Sequence, residues 1–455
     1  MKAKLKSSYV CSDCGASFPK WQGQCADCES WNTLTEIKET STSARRDKFS
    51  NYSGDGKSIE FQNLSDISED QVKRFHVGMS ELDRVLGGGL VLGSVTLIGG
   101  DPGIGKSTLL LQALSLATQD LPGLYVSGEE SAEQISIRAK RLNLDVTNLK
   151  LLTETNVENI INSAQAYKPK IIVLDSIQTF FSEELQSAPG TVSQVREAAA
   201  HFVRFAKQTS TCLFLVGHVT KDGSLAGPRI LEHMVDTVLY FEGEIGSQLR
   251  LIRSIKNRFG AVNELGVFAM TDKGLKEVSN PSAIFLSRHD NSVSGSCILV
   301  TKEGTRPLMV EVQALVDQSN LSQPRRITLG IDQNRISMLL AILNRHGGVG
   351  MFDKDVFLNV VGGVKITEPA ADLAVILAVY SSLIDSPLPK GLAVFGEVGL
   401  AGEIRPVPNG QDRIREAAKH GFSSIIIPKA NSPKDTIKGL KIISVARLTD
   451  AIKAL

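Results

Sequence analysis

From Ser94 to Gln112 the chain reads SVTLIGGDPGIGKSTLLLQ. The β-branched and apolar residues from Val95 to Ile98 predict a buried strand, and the run from Ser107 onward predicts an apolar helix. Between the two, Gly100, Gly105, Lys106 and Ser107 complete the spacing of a phosphate-binding loop. Its glycines let backbone N–H groups turn inward on phosphate, and the helix that follows presents its positive end. The loop proper is Gly100, Asp101, Pro102, Gly103, Ile104, Gly105, Lys106, Ser107 and Thr108. Lys106 is placed to reach the β- and γ-phosphates of a nucleotide, and Ser107 to hold Mg²⁺. A glycine-rich turn that met the spacing by chance would lack the strand before it and the helix after it.

Downstream the pattern repeats. GLYVS (Gly123–Ser127) predicts a second strand that delivers Glu129 and Glu130 at its carboxyl end, and Ser131 with Gln134 predicts a capping box opening the next helix. Glu129 is positioned to polarise a water that attacks the γ-phosphate; the plainer role for both glutamates is to favour the helix N-terminus through its dipole. Ile171–Leu174 is a continuous apolar run ending in Asp175, which suits a fully buried parallel strand whose terminal carboxylate positions Mg²⁺. An aspartate that merely caps a loop is the alternative. Thr211–Val216 predicts another buried strand, followed by Gly217 and His218, the latter a polar group placed to sense the γ-phosphate. Strands alternating with helices from Val95 to Val216 imply a parallel sheet with the ligand at its carboxyl edge.

Two loops on that edge, Gln178–Val195 and Thr220–Glu232 with Lys221, Gly223, Gly227 and Arg229, carry the residues of a phosphate-contacting loop and equally those of an ordinary solvated one. Val235–Phe241 and Gln248–Lys256 alternate as a hairpin whose second strand runs into KNRFG, Lys256 to Gly260. Alternate strand residues share a face, so Lys256 and Arg258 are expected to project together from the sheet edge.

At 455 residues the chain exceeds one ordinary core, and a prior of ~150 residues per domain implies two or three. Fifty Lys and Arg against 49 Asp and Glu leave a formal net charge of +1, so any DNA site must be a local patch rather than a bulk field. No apolar run approaches the ~20 residues of a membrane span, and MKAKLKSSYV lacks the apolar core of a signal peptide. The expectation is a cytoplasmic protein with no membrane partner. Among six cysteines, Cys11, Cys14, Cys25 and Cys28 form two C-x-x-C knuckles, the spacing of a tetrahedral four-thiolate Zn²⁺ site that leaves no open position for catalytic water. Iron in the same cage is a minor alternative. Gly15 follows the first knuckle where positive φ is tolerated, and Trp21 and Trp31 are expected to cover a module too small for a core. From Thr35 to Lys73 the composition turns polar and predicts a linker.

GMSELDRVLGGGLVLGSVTLIGGDPGIGKSTLLLQ, the SGEES segment, KNRFG and the four-cysteine module together resemble the bacterial RadA (Sms) family of recombination and repair ATPases, over essentially the whole chain. The core is similar to the RecA and DnaB families. SGEESAEQ resembles the DnaB segment whose glutamate activates water, which falls on Glu129 here. From about Val278 the chain resembles the Lon peptidase domain (ribosomal S5 domain 2-like). The nucleophile's P-S-A-G run is here Pro369, Ala370, Ala371, Asp372, and the lysine of the dyad falls near Gln411 or Asp412. Without a hydroxyl or an amine at those positions the fold is expected without peptidase chemistry. The domains implied are a zinc module (1–34), a linker (35–73), a RecA-like ATPase (74–278) and a Lon-like α/β domain (279–455).

The resemblance implies an ATP-driven, DNA-dependent motor of helicase or translocase type, working on single-stranded and branched DNA beside a RecA-type recombinase, with ATP, Mg²⁺ and Zn²⁺ as ligands. It also implies a homo-hexameric ring in which Lys256 and Arg258 contact the γ-phosphate bound by the neighbouring subunit. A surface salt bridge or a DNA-phosphate contact is the plainer reading for those two cations. The rivals are an ATP-dependent protease, which Ala370 opposes, and a KaiC-type signalling ATPase, which has neither the cysteines nor the Lon-like region.

Overall fold

A computed structural model of the chain describes residues 7–11, 17–18, 20–26, 29–38, 73–119, 121–218, 231–243, 248–286 and 293–455. They fall into two compact units, one up to Ile67 and one from Ser68.

In the first unit β1 (Ser7–Cys11), β2 (Ser17–Phe18) and β3 (Leu34–Lys38) form an antiparallel sheet in the order β2-β1-β3. A turn bridged by Gln24 and Trp31 is closed by the Cys25 N–H donating to Ser30 O at 2.9 Å and the Glu29 N–H donating to Cys25 O at 2.9 Å. Glu29, directly after Cys28, takes the left-handed conformation (φ 58°) expected of the residue that follows a knuckle. Two expectations need correction. The linker does not begin at Thr35, because Leu34–Lys38 pairs residue for residue with Ser7–Cys11 and so satisfies backbone groups that a linker would leave to water. Trp21 and Trp31 do not form the cover: they are 57 % and 69 % exposed and flank Gly23, while Tyr9 and Phe18 pack on buried Cys25 and Leu34. Cys14, Cys28, the Cys11 side chain and residues 39–72 lie outside the described residues.

The second unit opens with β4 (Arg74–Phe75), the short helix α1 (Ser80–Val85) and β5 (Leu90–Val91). There follow β6 (Val95–Gly100), α2 (Lys106–Ala117), β7 (Gly123–Ser127), α3 (Ala132–Arg141), β8 (Leu149–Thr153), α4 (Val157–Tyr167), β9 (Ile171–Asp175), α5 (Val192–Thr209) and β10 (Cys212–Val216). Next come β11 (Thr237–Glu242), β12 (Leu249–Asn257), β13 (Leu265–Thr271) and β14 (Gly274–Glu277). These strands make a nine-stranded sheet among the described residues, in the order β14-β13-β12-β11-β6-β10-β9-β7-β8. The centre is parallel, as the alternating pattern requires, and β12 to β14 extend it as an antiparallel meander. Both faces are covered, which is why the strands read as continuous apolar runs. Val95, Leu97 and Leu174 pack with Phe202 of α5, whereas Ile98 and Val173 pack with Leu110 of α2. A Leu or Ile side chain buried this completely contributes ~1.5–3 kcal/mol. The capping box forms as expected: Gln134 N–H donates to Ser131 Oγ, and Ser131 N–H donates to Gln134 Oε1.

Beyond α6 (Ser282–Phe285) lie β15 (Ser296–Glu303), β16 (Arg306–Gln318), β17 (Arg326–Leu329), α7 (Gln333–His346), β18 (Lys354–Val360), α8 (Asp372–Leu383) and β19 (Leu392–Val394). The chain ends with β20 (Glu397–Val398), β21 (Ile404–Arg405), α9 (Gly410–Lys419), β22 (Ser424–Pro428), β23 (Lys441–Val445) and α10 (Leu448–Lys453). Seven of these strands form a second sheet, β17-β18-β16-β15-β19-β22-β23. The 278/279 boundary lies between two sheets but not between two cores, because Leu265, Val267 and Val278 pack in one cluster with Phe285 and Val310. The turn joining β15 to β16 is clamped into the first sheet. Glu303 pairs with Arg253, Thr305 N–H donates to Glu264 Oε1 at 2.7 Å, and Arg306 Nη1 donates to both oxygens of Glu81 at 2.9 and 2.8 Å.

Candidate active site

The loop between β6 and α2 forms a cradle at the carboxyl edge of the first sheet. Gly100 has φ 153° and lies so close to β11 that a Cβ would sit 2.8 Å from Phe241 O, so only glycine fits there. Pro102 and Gly103 are exposed at the tip, Asp101 is half-buried, and Ile104 is buried with its carbonyl accepting from Arg250 Nε at 3.1 Å. Gly105 is the N-cap of α2 and supplies no side-chain cap, so the first N–H groups of the helix, at Lys106, Ser107 and Thr108, stay unspent and face the cradle with the positive end of the dipole. Lys106 is buried, and its Nζ donates to Gly100 O at 2.8 Å and Asp101 O at 2.9 Å, with His218 Nδ1 at 3.4 Å. Burial pushes its pKa down, opposed by the charges of Asp175, Asp101 and Glu129.

The strand tips bring the remaining groups to this lysine. Asp175 ends β9, and its Oδ2 accepts from the buried Tyr125 hydroxyl at 2.5 Å. Burial, and then the Asp175 charge, holds the Tyr125 phenol far above its ordinary range, so it stays protonated and donates to Asp175. Glu129, just past β7, takes His218 Nε2 at 3.2 Å and the Ser176 hydroxyl on its Oε1. The His218 hydrogen bond leads in holding the Glu129 pKa below its ordinary value, with Ser176 and Lys106 adding to it against burial. Since Lys106 can only donate, His218 Nδ1 accepts from it and Nε2 carries the proton given to Glu129. Glu130 is committed elsewhere, to Arg138, and its N–H donates to Ser127 Oγ at 3.0 Å. Of the two glutamates, Glu129 alone is joined to the cradle by these contacts.

Lys256 and Arg258 sit at the opposite edge of the sheet. Lys256 is the Cα partner of Val238, which also pairs with Leu97, and Arg258 N–H donates to Asp236 O at 3.1 Å. Asp236 N–H in turn donates to Val95 O at 3.0 Å, at the start of β6. At ~3.3 Å per residue both cations are more than ~10 Å from their own cradle. Lys256 Nζ donates to Glu232 O at 2.6 Å and Val235 O at 2.8 Å, and Arg258 Nη1 pairs with Asp236 Oδ1 at 3.2 Å. The expectation that both lie on one strand needs correction only in its end: β12 stops at Asn257, so Arg258 is the first residue beyond it, and the bulge in β12 falls before Lys256, between the partners of Val238 and Leu239. They still come together: burial and then the Arg258 charge lower the Lys256 pKa.

Residues 219–230, including Lys221, Gly223, Gly227 and Arg229, lie outside the described residues. In the second sheet's domain, Ala370 is buried, Gln411 Nε2 donates to Asn431 O at 3.0 Å, and Asp412 pairs with Lys302 at 3.2 Å. Glu368, two residues before Ala370, and Arg413, directly after Gln411 and Asp412, form a two-pronged ion pair across the same two segments, with Nη1 and Nη2 at 2.8 and 2.6 Å. Tyr125, Ser176 and Arg250 were not among the sequence candidates. Tyr125 and Ser176 carried a signal, being polar atoms inside or directly after an otherwise apolar strand, whereas Arg250 carried none.

A family model described as an AAA domain matches residues 62–224, one described as a rubredoxin metal binding domain matches 9–36, and one described as subunit ChlI of Mg-chelatase matches 332–431. Curated relatives named DNA repair protein RadA are similar over the whole length. The one from Pseudomonas aeruginosa is 60 % identical over 100 % of this chain and 99 % of its own. That from Escherichia coli is 57 % identical over 98 % of both, and that from Bacillus subtilis 46 % over 99 % of both. A solved KaiC-like protein from Pyrococcus horikoshii is similar with a TM-score of 0.39 and 20 % identity, over 46 % of this chain and 99 % of that one.

Proposed function

The chain belongs to the RadA family of DNA repair proteins, and from that premise we propose that it is an ATP-driven motor on DNA that promotes branch migration and strand extension of recombination intermediates. The observation that carries the ATPase reading is the convergence of Lys106, His218 and Glu129 at an uncapped helix N-terminus. ATP seats its phosphates on the N–H groups of Lys106, Ser107 and Thr108. Lys106 then exchanges the Gly100 and Asp101 carbonyls and His218 for the β- and γ-phosphates, where a fixed cation stabilises charge developing in phosphoryl transfer. Water attacks the γ-phosphorus, its proton passes to Glu129, and the bond to the leaving ADP oxygen breaks. His218 loses its contact with Lys106 in this exchange while still touching Glu129, and so reports the phosphate to the segment that follows it.

Ser107 and Asp175 would hold Mg²⁺: Tyr125 donates to only one oxygen of Asp175, and the Asp175 charge acts on Lys106 of the cradle; the ion would neutralise charge on the β- and γ-phosphates. Lys256 and Arg258 act in trans on a neighbour's γ-phosphate in a hexameric ring, a reading supported by their distance from their own cradle. Cys11, Cys14, Cys25 and Cys28 hold Zn²⁺ as a structural ion. The fit rests on Cys25, buried beside Leu34, the strand partner of Cys11, and on the left-handed Glu29. Residues 279–455 serve as a scaffold for the ring and for DNA without cleaving peptides, because an acyl-enzyme needs a nucleophile that Ala370 lacks. Single-stranded and branched DNA and a RecA-type recombinase are the partners, in the cytoplasm; no helix among the described residues is long and apolar enough to cross a membrane.

The test is extension of a three-strand joint molecule by the purified chain, with ATP, in the presence of a recombinase. ATP-dependent extension that Lys106→Ala abolishes is the expected result. Extension that proceeds equally without ATP would overturn the motor reading.

A further inference from the structure

Glu129 is a flexible side chain at the end of a strand, and a general base works only when its free oxygen is aimed. Two donors hold one oxygen of this carboxylate. Oε1 takes the Ser176 hydroxyl and lies 3.2 Å from His218 Nε2, whereas Oε2 has no hydrogen-bond partner among the described residues. The two donors differ in what happens to them during the reaction. His218 also touches Lys106, which moves when phosphate arrives. Ser176 is fully buried, and its hydroxyl spends its one proton on Glu129. Its own segment is fixed on several sides: Thr179 Oγ1 donates to Ser176 O at 2.8 Å, Ile177 N–H donates to Val216 O at 2.9 Å, and Gly128 N–H donates to Asp175 O at 2.8 Å. The approach is so close that a Cβ on Gly128 would lie 2.0 Å from Thr179 Oγ1, which explains a glycine directly before the base.

We propose that Ser176 is the positioning residue of the hydrolytic base: its buried hydroxyl anchors Glu129 Oε1 throughout turnover and turns Oε2 toward the attacking water. The inference rests on Glu129 being the base. A hydroxyl in this role changes the chemical step and leaves ATP binding alone. It also stabilises the carboxylate form, so its removal moves the acid limb of the hydrolysis profile to higher pH.

The test is a double-mutant cycle of Ser176→Ala and Glu129→Gln in the full chain, following steady-state hydrolysis, binding of a fluorescent ATP analogue and thermal melting. Ser176→Ala alone is expected to lower kcat by roughly 10- to 100-fold, a part of what general-base catalysis supplies, with KM for ATP and analogue affinity within about two-fold of the parent. In the Glu129→Gln background the same change is expected to have no further effect on the residual rate, because the group through which Ser176 acts has gone. Ser176→Cys, which keeps a weaker donor of similar size, is expected to fall between the two, and it carries the test if Ser176→Ala does not fold. Full activity of a folded Ser176→Ala protein, a loss confined to KM, or additive losses in the double variant would each overturn the proposal. Parental activity of Glu129→Gln would instead overturn the base assignment on which the proposal rests.

Discussion

Replacing Arg258 by alanine separates stability from activity. Its side chain is 56 % exposed and pairs with Asp236 at 3.2 Å. Asp236 does not depend on that pair, since Lys207 Nζ donates to Oδ2 at 2.5 Å and Val95 N–H at 3.0 Å. Loss of a half-exposed ion pair whose acid keeps two other donors costs about 0–1 kcal/mol of stability. A cation that stabilises the transferring phosphoryl group from a neighbouring subunit is worth about 10³-fold or more in rate, roughly 4 kcal/mol of barrier. Arg258→Ala should therefore melt close to the parent, bind ATP normally and hydrolyse it about a thousandfold more slowly. Mixing then decides between cis and trans. An Arg258→Ala subunit keeps an intact cradle, and a Lys106→Ala subunit keeps an intact finger. At equal amounts about one interface in four joins the two, so roughly a quarter of the parental rate should return. Lys256→Ala should behave in the same way. Parental hydrolysis by Arg258→Ala, or no recovery at any mixing ratio, would refute the trans assignment.

Arg306→Ala leaves buried Glu81 with Val267 N–H and a distant Arg84, and should cost about 3 kcal/mol, the low end for breaking a buried pair. At about 2.1 cal/mol/K per residue over roughly 390 residues, that lowers Tm by about 4 °C; an unchanged melt would show that the turn between β15 and β16 is not what holds the two sheets together. The depressed pKa of Glu129 keeps the base charged through the neutral range, so hydrolysis should not fall until the pH drops below about 4.5, provided that the fold persists. A limb near pH 6 in the parent would assign the base to another group. Chelation of zinc should release the N-terminal module and leave the melt of the unit from Ser68 onward unchanged, because four-thiolate modules draw their folding energy from the metal. Melting of both units together would contradict this.

What was legible in the sequence is what short-range pattern encodes. The strand, loop and helix around Lys106 and the capping box at Ser131 each depend on residues within a turn or two of one another, and they appear where the pattern puts them. The strand Leu149–Thr153 carried little signal because it is an edge strand with no fully buried residue. Contacts that only topology creates were not readable. Tyr125 meets Asp175 because β7 and β9 are neighbours, Ser176 meets Glu129 across 47 residues, and Arg306 reaches Glu81 across 225. The bulge in β12 just before Lys256 leaves no mark in an alternating run. Among the cysteines the spacing marked the candidate ligands, while the extent of the module lay in the pairing of Leu34–Lys38 with Ser7–Cys11.

The central claim is that this cradle hydrolyses ATP in response to DNA, with Glu129 as the base. The measurement that meets it most directly is the steady-state hydrolysis rate of the full chain with and without single-stranded DNA, alongside Glu129→Gln at matched ATP occupancy. A rate that rises with single-stranded DNA in the parent, and is lost in Glu129→Gln although ATP remains bound, is the predicted result. A rate indifferent to DNA, or one that survives Glu129→Gln, would contradict it.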